Sequence, residues 1–236
     1  MPMPQMIDYK IVKIEKDGLN VKRFHLESVN GTAISFKPGQ FVNLYIKTPP
    51  EEALLFRQFS IASAPSNRIL EFCIKILPDG KFTSKLDKMN IGDLLGVIGP
   101  FGHFNYDGNN GSVFIAGGTG IAPMMSMLRY IKENKITGDF TIFYTNKKED
   151  MILYYDELKE FQNSGIKIVF TLTQENPESW KGETGRINNE MMERHVQIAE
   201  KKSWYCCGPL EFVKIIKEFA LGKGVEPAKI KIEGWG

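Results

Sequence analysis

Two glycine-bearing stretches carry the most specific chemical signal in the chain. In "VFIAGGTGIAPMMSML", an apolar run ends at Gly117-Gly118-Thr119-Gly120 and a helix is expected to begin near Pro123. Glycine lets a backbone turn sharply and approach a ligand closely. Proline suits the first helical turn, and the unbonded N–H groups of a helix start favour phosphate. The spacing departs from G-x-G-x-x-G, because Pro123 stands where the third glycine would be. A tight strand-to-helix turn without any ligand would use the same residues. In "YCCGP", Cys207-Gly208-Pro209 close a later strand, at the end where doubly wound sheets place ligands. A small buried thiol before a turn would leave the same trace.

A third stretch is "RQFSIASAP", 57–65. It puts Arg57, Phe59 and Ser60 on a short strand, where an inward face would ordinarily take Val or Ile. A plain core strand has little use for a guanidinium beside an aromatic ring and a hydroxyl, so the rest of the chain must account for them. Alternation places Arg57 and Phe59 on one face. The three histidines, His25, His103 and His195, share no spacing that suggests a metal site or a triad. Met124, Met125 and Met127 are expected to pack the core side of their helix.

Positioning these residues requires a sizeable fold, and 236 residues allow one large domain or two small ones. A charge of +2 gives no electrostatic reason to expect nucleic acid. Three cysteines, two of them adjacent, make a poor disulfide framework and cannot ligate an iron–sulfur cluster. No basic segment leads into an apolar run at the start, and no apolar stretch approaches the roughly 20 residues that span a bilayer. The expectation is a cytoplasmic protein without a membrane span.

The elements change character along the chain. Up to about residue 105, "YKIVKIEKD", "VKRFHLES", "QFVNLYIKT", "RQFSIAS", "ILEFCIKIL" and "DLLGVIGP" are short β-prone runs separated by turn residues. They predict an antiparallel barrel, interrupted by a short helix near "FTSKLDKM". After the turn-rich "NYDGNNGS", strands alternate with helical patterns, which predicts a parallel sheet covered on both faces. The expected domains are a barrel over 1–107 and an α/β domain over 108–236.

"RQFS", "GKFTSKL", "GPFGHF", "GGTGIAP" and "CCGP", in this order and spacing, resemble the ferredoxin–NADP⁺ reductase superfamily over almost the whole chain. The resemblance implies a flavin-binding antiparallel barrel joined to an NAD(P)-binding domain. Arg57 would then pair with the flavin's phosphate, Phe59 would pack on its ring system, and Ser60 would hydrogen-bond near the reactive N5. Phe59 replaces the tyrosine of many relatives, which removes a phenol contact. Cys73, Ile74 and Lys75 correspond to the next flavin-contacting strand. Gly80, Phe82, Thr83 and Ser84 correspond to the loop and helix start that bind the pyrophosphate, which favours FAD over FMN. An ordinary helix capped by Thr83 or Ser84 would also account for them.

Gly118, Thr119, Gly120, Ile121 and Pro123 would take the dinucleotide, together with Cys207, Gly208 and Pro209. Cys207 and Glu233 would sit beside the nicotinamide. Trp235 falls in the Glu-x-aromatic pattern that covers the flavin's free face, although Gly236 follows it. Thr173-Gln174 stand where NADP-binding relatives often carry Ser-Arg, which favours NADH, while Lys147 and Lys148 could still meet a 2′-phosphate. The implied activity is a flavoprotein reductase that passes a hydride from NAD(P)H to FAD and electrons onward. With no appended ferredoxin segment, the expected acceptor is a separate redox protein such as a ferredoxin, or else free flavin, a quinone or oxygen. The alternative is a flavin-binding electron-transfer subunit of a larger redox complex.

Overall fold

The structure is a computed structural model that describes residues 5–46, 54–197 and 201–235. The last residues of the third expected strand and Gly236 lie outside the described residues. The chain divides into two compact units, Met1–Asn105 with Met125–Tyr130, and Tyr106–Met124 with Ile131–Gly236.

The first unit holds β1 (Ile7–Lys16), β2 (Val21–Ser28), β3 (Phe41–Ile46), β4 (Leu55–Ser60), β5 (Leu70–Lys75), α1 (Thr83–Leu86) and β6 (Leu94–Phe101). All six expected strands form, in one antiparallel sheet ordered β4-β3-β6-β1-β2-β5. Period-two patterning decides which face is inside. On β3, Val42, Leu44 and Ile46 are buried while Phe41, Asn43 and Tyr45 are half-exposed. Tyr9, Ile11, Phe24, Leu26, Phe72, Ile74, Leu95 and Val97 complete this core. Each such side chain contributes roughly 1.5–3 kcal/mol of burial. The Tyr9 hydroxyl accepts the Ile34 N–H at 3.1 Å, so its polar tip is satisfied inside. Beyond β4, the Ala62 N–H donates to the Glu71 carbonyl on β5 at 2.8 Å. That bond ties the two edges of the sheet together and makes it barrel-like.

The second unit is built on a six-stranded parallel sheet. Its strands are β7 (Gly111–Gly117), β8 (Asp139–Asn146), β9 (Lys167–Leu172), β10 (Glu183–Thr184), β11 (Ser203–Pro209) and β12 (Ile230–Trp235), ordered β10-β9-β8-β7-β11-β12. The short β10 was not foreseen in the sequence. The helices are α2 (Ile121–Glu133), α3 (Tyr155–Asn163), α4 (Asn189–His195) and α5 (Leu210–Gly222), and α2 contributes Met125–Tyr130 to the first unit. Residues 112–116 of β7 are all buried, as expected of a strand covered on both faces. Met124, Met125 and Met127 are fully buried. No helix among the described residues is long and apolar enough to cross a membrane.

The helix expected to begin near Pro123 starts two residues before it. Gly118–Gly120 form a 3₁₀ turn, α2 starts at Ile121, and Pro123 is its third residue. Gly118, at φ +53°, reverses the chain there, and 3₁₀ turns are common at helix starts.

Candidate functional sites

The barrel unit gathers one group of the expected residues on β4 and after β5. In the β3–β4 register, Arg57 faces Leu44 and Phe59 faces Val42, while Ser60 faces Phe41. Arg57 and Phe59 therefore share one face and Ser60 takes the other, as alternation requires. Most of β4 is exposed or half-exposed, unlike a core strand. The Arg57 Nη1 donates to the Phe56 carbonyl at 2.8 Å, and no carboxylate pairs with it among the described residues. Its remaining donors suit a phosphate.

Phe59 packs on Phe82 with ring centroids 5.5 Å apart and planes tilted by 43°. Phe82 is itself buried. It sits in a turn that closes on its own backbone. The Thr83 hydroxyl accepts the Leu77 N–H at 3.1 Å and donates to the Leu77 carbonyl at 3.2 Å. The Ser84 N–H donates to the Gly80 carbonyl at 2.9 Å. Only glycine fits at 80, because a Cβ would stand 2.4 Å from the Thr83 hydroxyl oxygen.

This arrangement corrects the expected cap. Phe82 is the residue before the helix, no side chain caps it, and Thr83 spends its hydroxyl on Leu77. On β5, the Ile74 side chain belongs to the barrel core and Cys73 is buried, so Lys75 is the exposed side chain of the three expected there. The exposed Arg57 guanidinium, on the same strand face as Phe59 and its ring partner Phe82, fits a phosphate beside an aromatic ring system, while Ser60 lies on the opposite face of β4.

In the α/β unit, parallel register brings the other group to the carboxyl ends of the strands. Gly117 pairs with Thr145, Cys207 with Ala116 and with Glu233, and Pro209 with Trp235. The glycine turn fits closely against β11. A Cβ on Gly120 would stand 2.5 Å from the Cys207 carbonyl oxygen and 2.8 Å from the indole Cη2 of Trp235. At Gly118 a Cβ would meet nothing within 4 Å, so that side of the turn is open. The buried Tyr144 hydroxyl donates to the Gly118 carbonyl at 3.0 Å and accepts the Leu153 N–H at 3.3 Å. Gly208 is needed because a Cβ would approach the Phe212 ring to 2.7 Å.

Cys207 is buried, with its Sγ 3.9 Å from the Glu233 carboxylate. Burial first, then the nearby Glu233 and Cys206, push its thiol well above the usual range, so it stays protonated. The chain thus brings Gly120, Cys207, Glu233 and Trp235 together at one edge, with Trp235 43% exposed.

Thr173 and Gln174 follow β9 at the same edge. Their N–H groups donate to the carbonyls of Asn146 and Lys147 at 2.9 and 3.0 Å. Gln174, Lys147 and Lys148 are exposed.

Sequence reasoning missed Asn146. Its Nδ2 is buried without a hydrogen-bond partner among the described residues. It lies at the end of β8, between the glycine strand β7 and Thr173 beyond β9. A buried amide with no acceptor is costly, and such a group at a ligand-binding edge fits a polar ligand. The available signal was a polar residue closing an apolar strand.

Among the described residues, no group of three or more His, Cys, Asp or Glu could hold a metal ion. His25 pairs with Glu15 and His195 with Glu183, each at 2.7 Å.

Two families match, "Oxidoreductase FAD-binding domain" over residues 8–106 and "Oxidoreductase NAD-binding domain" over 114–218. The chain is 27% identical over 236 residues to a glycine betaine monooxygenase reductase subunit of Chromohalobacter salexigens, covering 96% of this chain and 63% of that protein. It is 29% identical over 224 residues to ferredoxin–NADP reductase B of Sorangium cellulosum, covering 90% of this chain and 91% of that one. Among solved structures, the FAD/NAD-binding domain of a nitric oxide dioxygenase from Vibrio cholerae superposes with a TM-score of 0.88 at 20% identity, over 98% of both chains. The chain spans less than two thirds of the length of the monooxygenase reductase subunit it matches.

Proposed function

Because this chain belongs to the ferredoxin–NADP⁺ reductase superfamily, with an FAD-binding and an NAD-binding domain, we propose that it passes a hydride from NADH to bound FAD and electrons onward to a separate acceptor. The observation that carries the reading is the seating of Gly120 against the Cys207 carbonyl, with Glu233 and Trp235 at the same edge. A turn held this closely keeps the open side of Gly118 and the thiol of Cys207 in a fixed relation.

FAD, when bound, supplies the hydride acceptor and a means of releasing electrons singly. The chain supplies binding and alignment. Arg57 holds phosphate through a charge-assisted bond, and Phe59 with Phe82 offers an apolar support for the ring system. The protonated Cys207 gives a small neutral surface at the reacting end, and Glu233 keeps a carboxylate beside it. The Gly118 end of the glycine turn and the Asn146 amide take the dinucleotide's oxygens. No general base is required.

NADH is favoured over NADPH because Thr173 and Gln174 offer no cation for a 2′-phosphate. The acceptor is a separate redox protein, in line with the reductase-subunit name of one relative and the ferredoxin–NADP reductase name of another. The place of action is the cytoplasm. The test is anaerobic reduction with NADH and NADPH in parallel. Bleaching of the flavin's visible band, faster with NADH, supports the reading. A protein isolated without flavin that takes up none refutes it. The competing reading, a subunit of a larger redox complex, is separated by the native mass of the protein from its source.

A further inference from the structure

We propose that Arg129, which the chain carries on the helix that opens at the glycine turn, is a positioning residue for the flavin strand β4. This rests on the flavin reading above. Three observations carry it.

The Arg129 Nη1 donates to the Ala62 carbonyl at 2.9 Å and to the Glu71 Oε2 at 2.8 Å, and its Nη2 reaches the Glu71 Oε1 at 3.5 Å. One turn earlier on α2, the Ser126 hydroxyl donates to the Ser63 carbonyl at 2.7 Å. Ala62 and Ser63 immediately extend β4, only two and three residues past Ser60. All of these residues lie in the first unit.

Glu71 joins the same clasp from β5. Its carbonyl accepts the Ala62 N–H at 2.8 Å, and its N–H donates to the Ser63 hydroxyl at 3.2 Å. Its side chain is 9% exposed and that of Arg129 16% exposed, so the pair is largely shielded from water. Arg23 stands farther off, with Nη1 at 3.9 Å from the Glu71 carboxylate.

The third observation is what β4 lacks. It lies at an edge of its sheet and pairs with β3 alone, and half of its residues are exposed while the rest are only half-buried. A ladder on one side only leaves its outer end poorly fixed. The Arg129–Glu71 pair and Ser126 hold the chain where β4 runs out. Charge-assisted bonds of this kind are the stronger and more directional ones. Through them Arg129 sets the placement of Phe59 and Ser60 without touching a flavin itself.

The test uses the purified flavoprotein and its Arg129→Gln, Arg129→Lys and Ser126→Ala variants. FAD dissociation is read from flavin fluorescence on dilution, the environment of bound FAD from its visible circular dichroism, and NAD⁺ binding from calorimetry. Arg129→Gln is expected to raise the FAD dissociation constant about tenfold, the scale of a hydrogen bond to a charged group. It should also change the visible dichroism while NAD⁺ affinity stays within about twofold. Arg129→Lys should recover part of the loss, and Ser126→Ala should show a smaller shift of the same kind. If Arg129→Gln does not fold, Ser126→Ala with Arg129→Lys decides.

Unchanged FAD affinity and dichroism in the folded variants would overturn the proposal. So would NAD⁺ affinity falling in step with FAD affinity, since that marks general loosening. A wild-type protein that binds no FAD would instead overturn the flavin reading on which the proposal stands.

Discussion

Gly120 and Cys207 approach so closely that the carbonyl oxygen of Cys207 stands 2.5 Å from where a Cβ on residue 120 would be. The obstacle is backbone of β11, paired on both sides with β7 and β12, not a flexible side chain. Gly120→Ala should therefore push the glycine turn off β11, at about 1–3 kcal/mol of stability. It should also weaken NAD⁺ binding. Adding Trp235→Ala removes the second obstacle, the indole, but not the first, so the cost should persist in the double variant. Denaturant melts of wild type and the two variants decide this. A Gly120→Ala protein as stable as wild type would show that the turn moves freely.

Arg57→Ala should lose most bound flavin while keeping its fold. The side chain is exposed and its hydrogen bond here goes to a neighbouring backbone carbonyl, so little packing is lost. A charge-assisted bond to phosphate is worth about 1.5–3 kcal/mol, or one to two decades in affinity. Flavin occupancy measured at dilute protein tests the role, and unchanged occupancy removes it.

Stability should fall on the alkaline side. Burial makes the Tyr205 hydroxyl and the Cys206 and Cys207 thiols weaker acids, pushing their pKa above the ordinary values. Above about pH 9 the unfolded chain releases the thiol protons while the folded chain keeps them. The unfolded state then binds fewer protons, and stability drops as pH rises, while below that pH the contribution is complete. Each group adds up to about 1.4 kcal/mol per pH unit once its unfolded form is ionised. Cys206→Ala should be less stable at neutral pH yet decline less steeply above about pH 9. Parallel slopes in urea titrations of the two proteins would contradict this.

Asn146→Leu separates the needs of the empty fold from those of the ligand. The buried Nδ2 has no partner among the described residues, so an apolar side chain of similar size should leave stability equal or raise it by about 1 kcal/mol. The same change should weaken NAD⁺ binding about tenfold, because a donor at the strand end is gone. Melting and calorimetry on one preparation test both halves. Lower stability with unchanged NAD⁺ affinity would make Asn146 structural.

Much of this was legible in the chain itself, for reasons that differ by residue. The six barrel strands and the alternating second half follow from local periodicity and turn residues. The shared face of Arg57 and Phe59 follows from a period of two. Register is a long-range property, so the pairing of Cys207 with Glu233 needed β11 and β12 to be placed side by side. Ile74 looked like part of a ligand-facing strand, but the inward face of β5 claims it for the core. Thr83 has the chemistry of a cap, yet the turn after β5 brings Leu77 back within its reach. Arg129 carried no local pattern at all, and Asn146 only that of a polar residue closing an apolar strand. Their roles depend on partners many residues away, or on the lack of one.

The exposed character of β4 bears on what happens when the protein is stored. An edge strand with Phe56 41% exposed is a template for pairing with a second chain, and edges are commonly blunted by charge. Arg57 sits beside that phenylalanine. The guanidinium is therefore expected to guard against self-association whenever the ligand is absent. Flavin-stripped wild type should stay clear in light-scattering measurements under conditions where flavin-stripped Arg57→Ala turns turbid, so the residue proposed to hold the cofactor would also preserve the protein during the time it is without one.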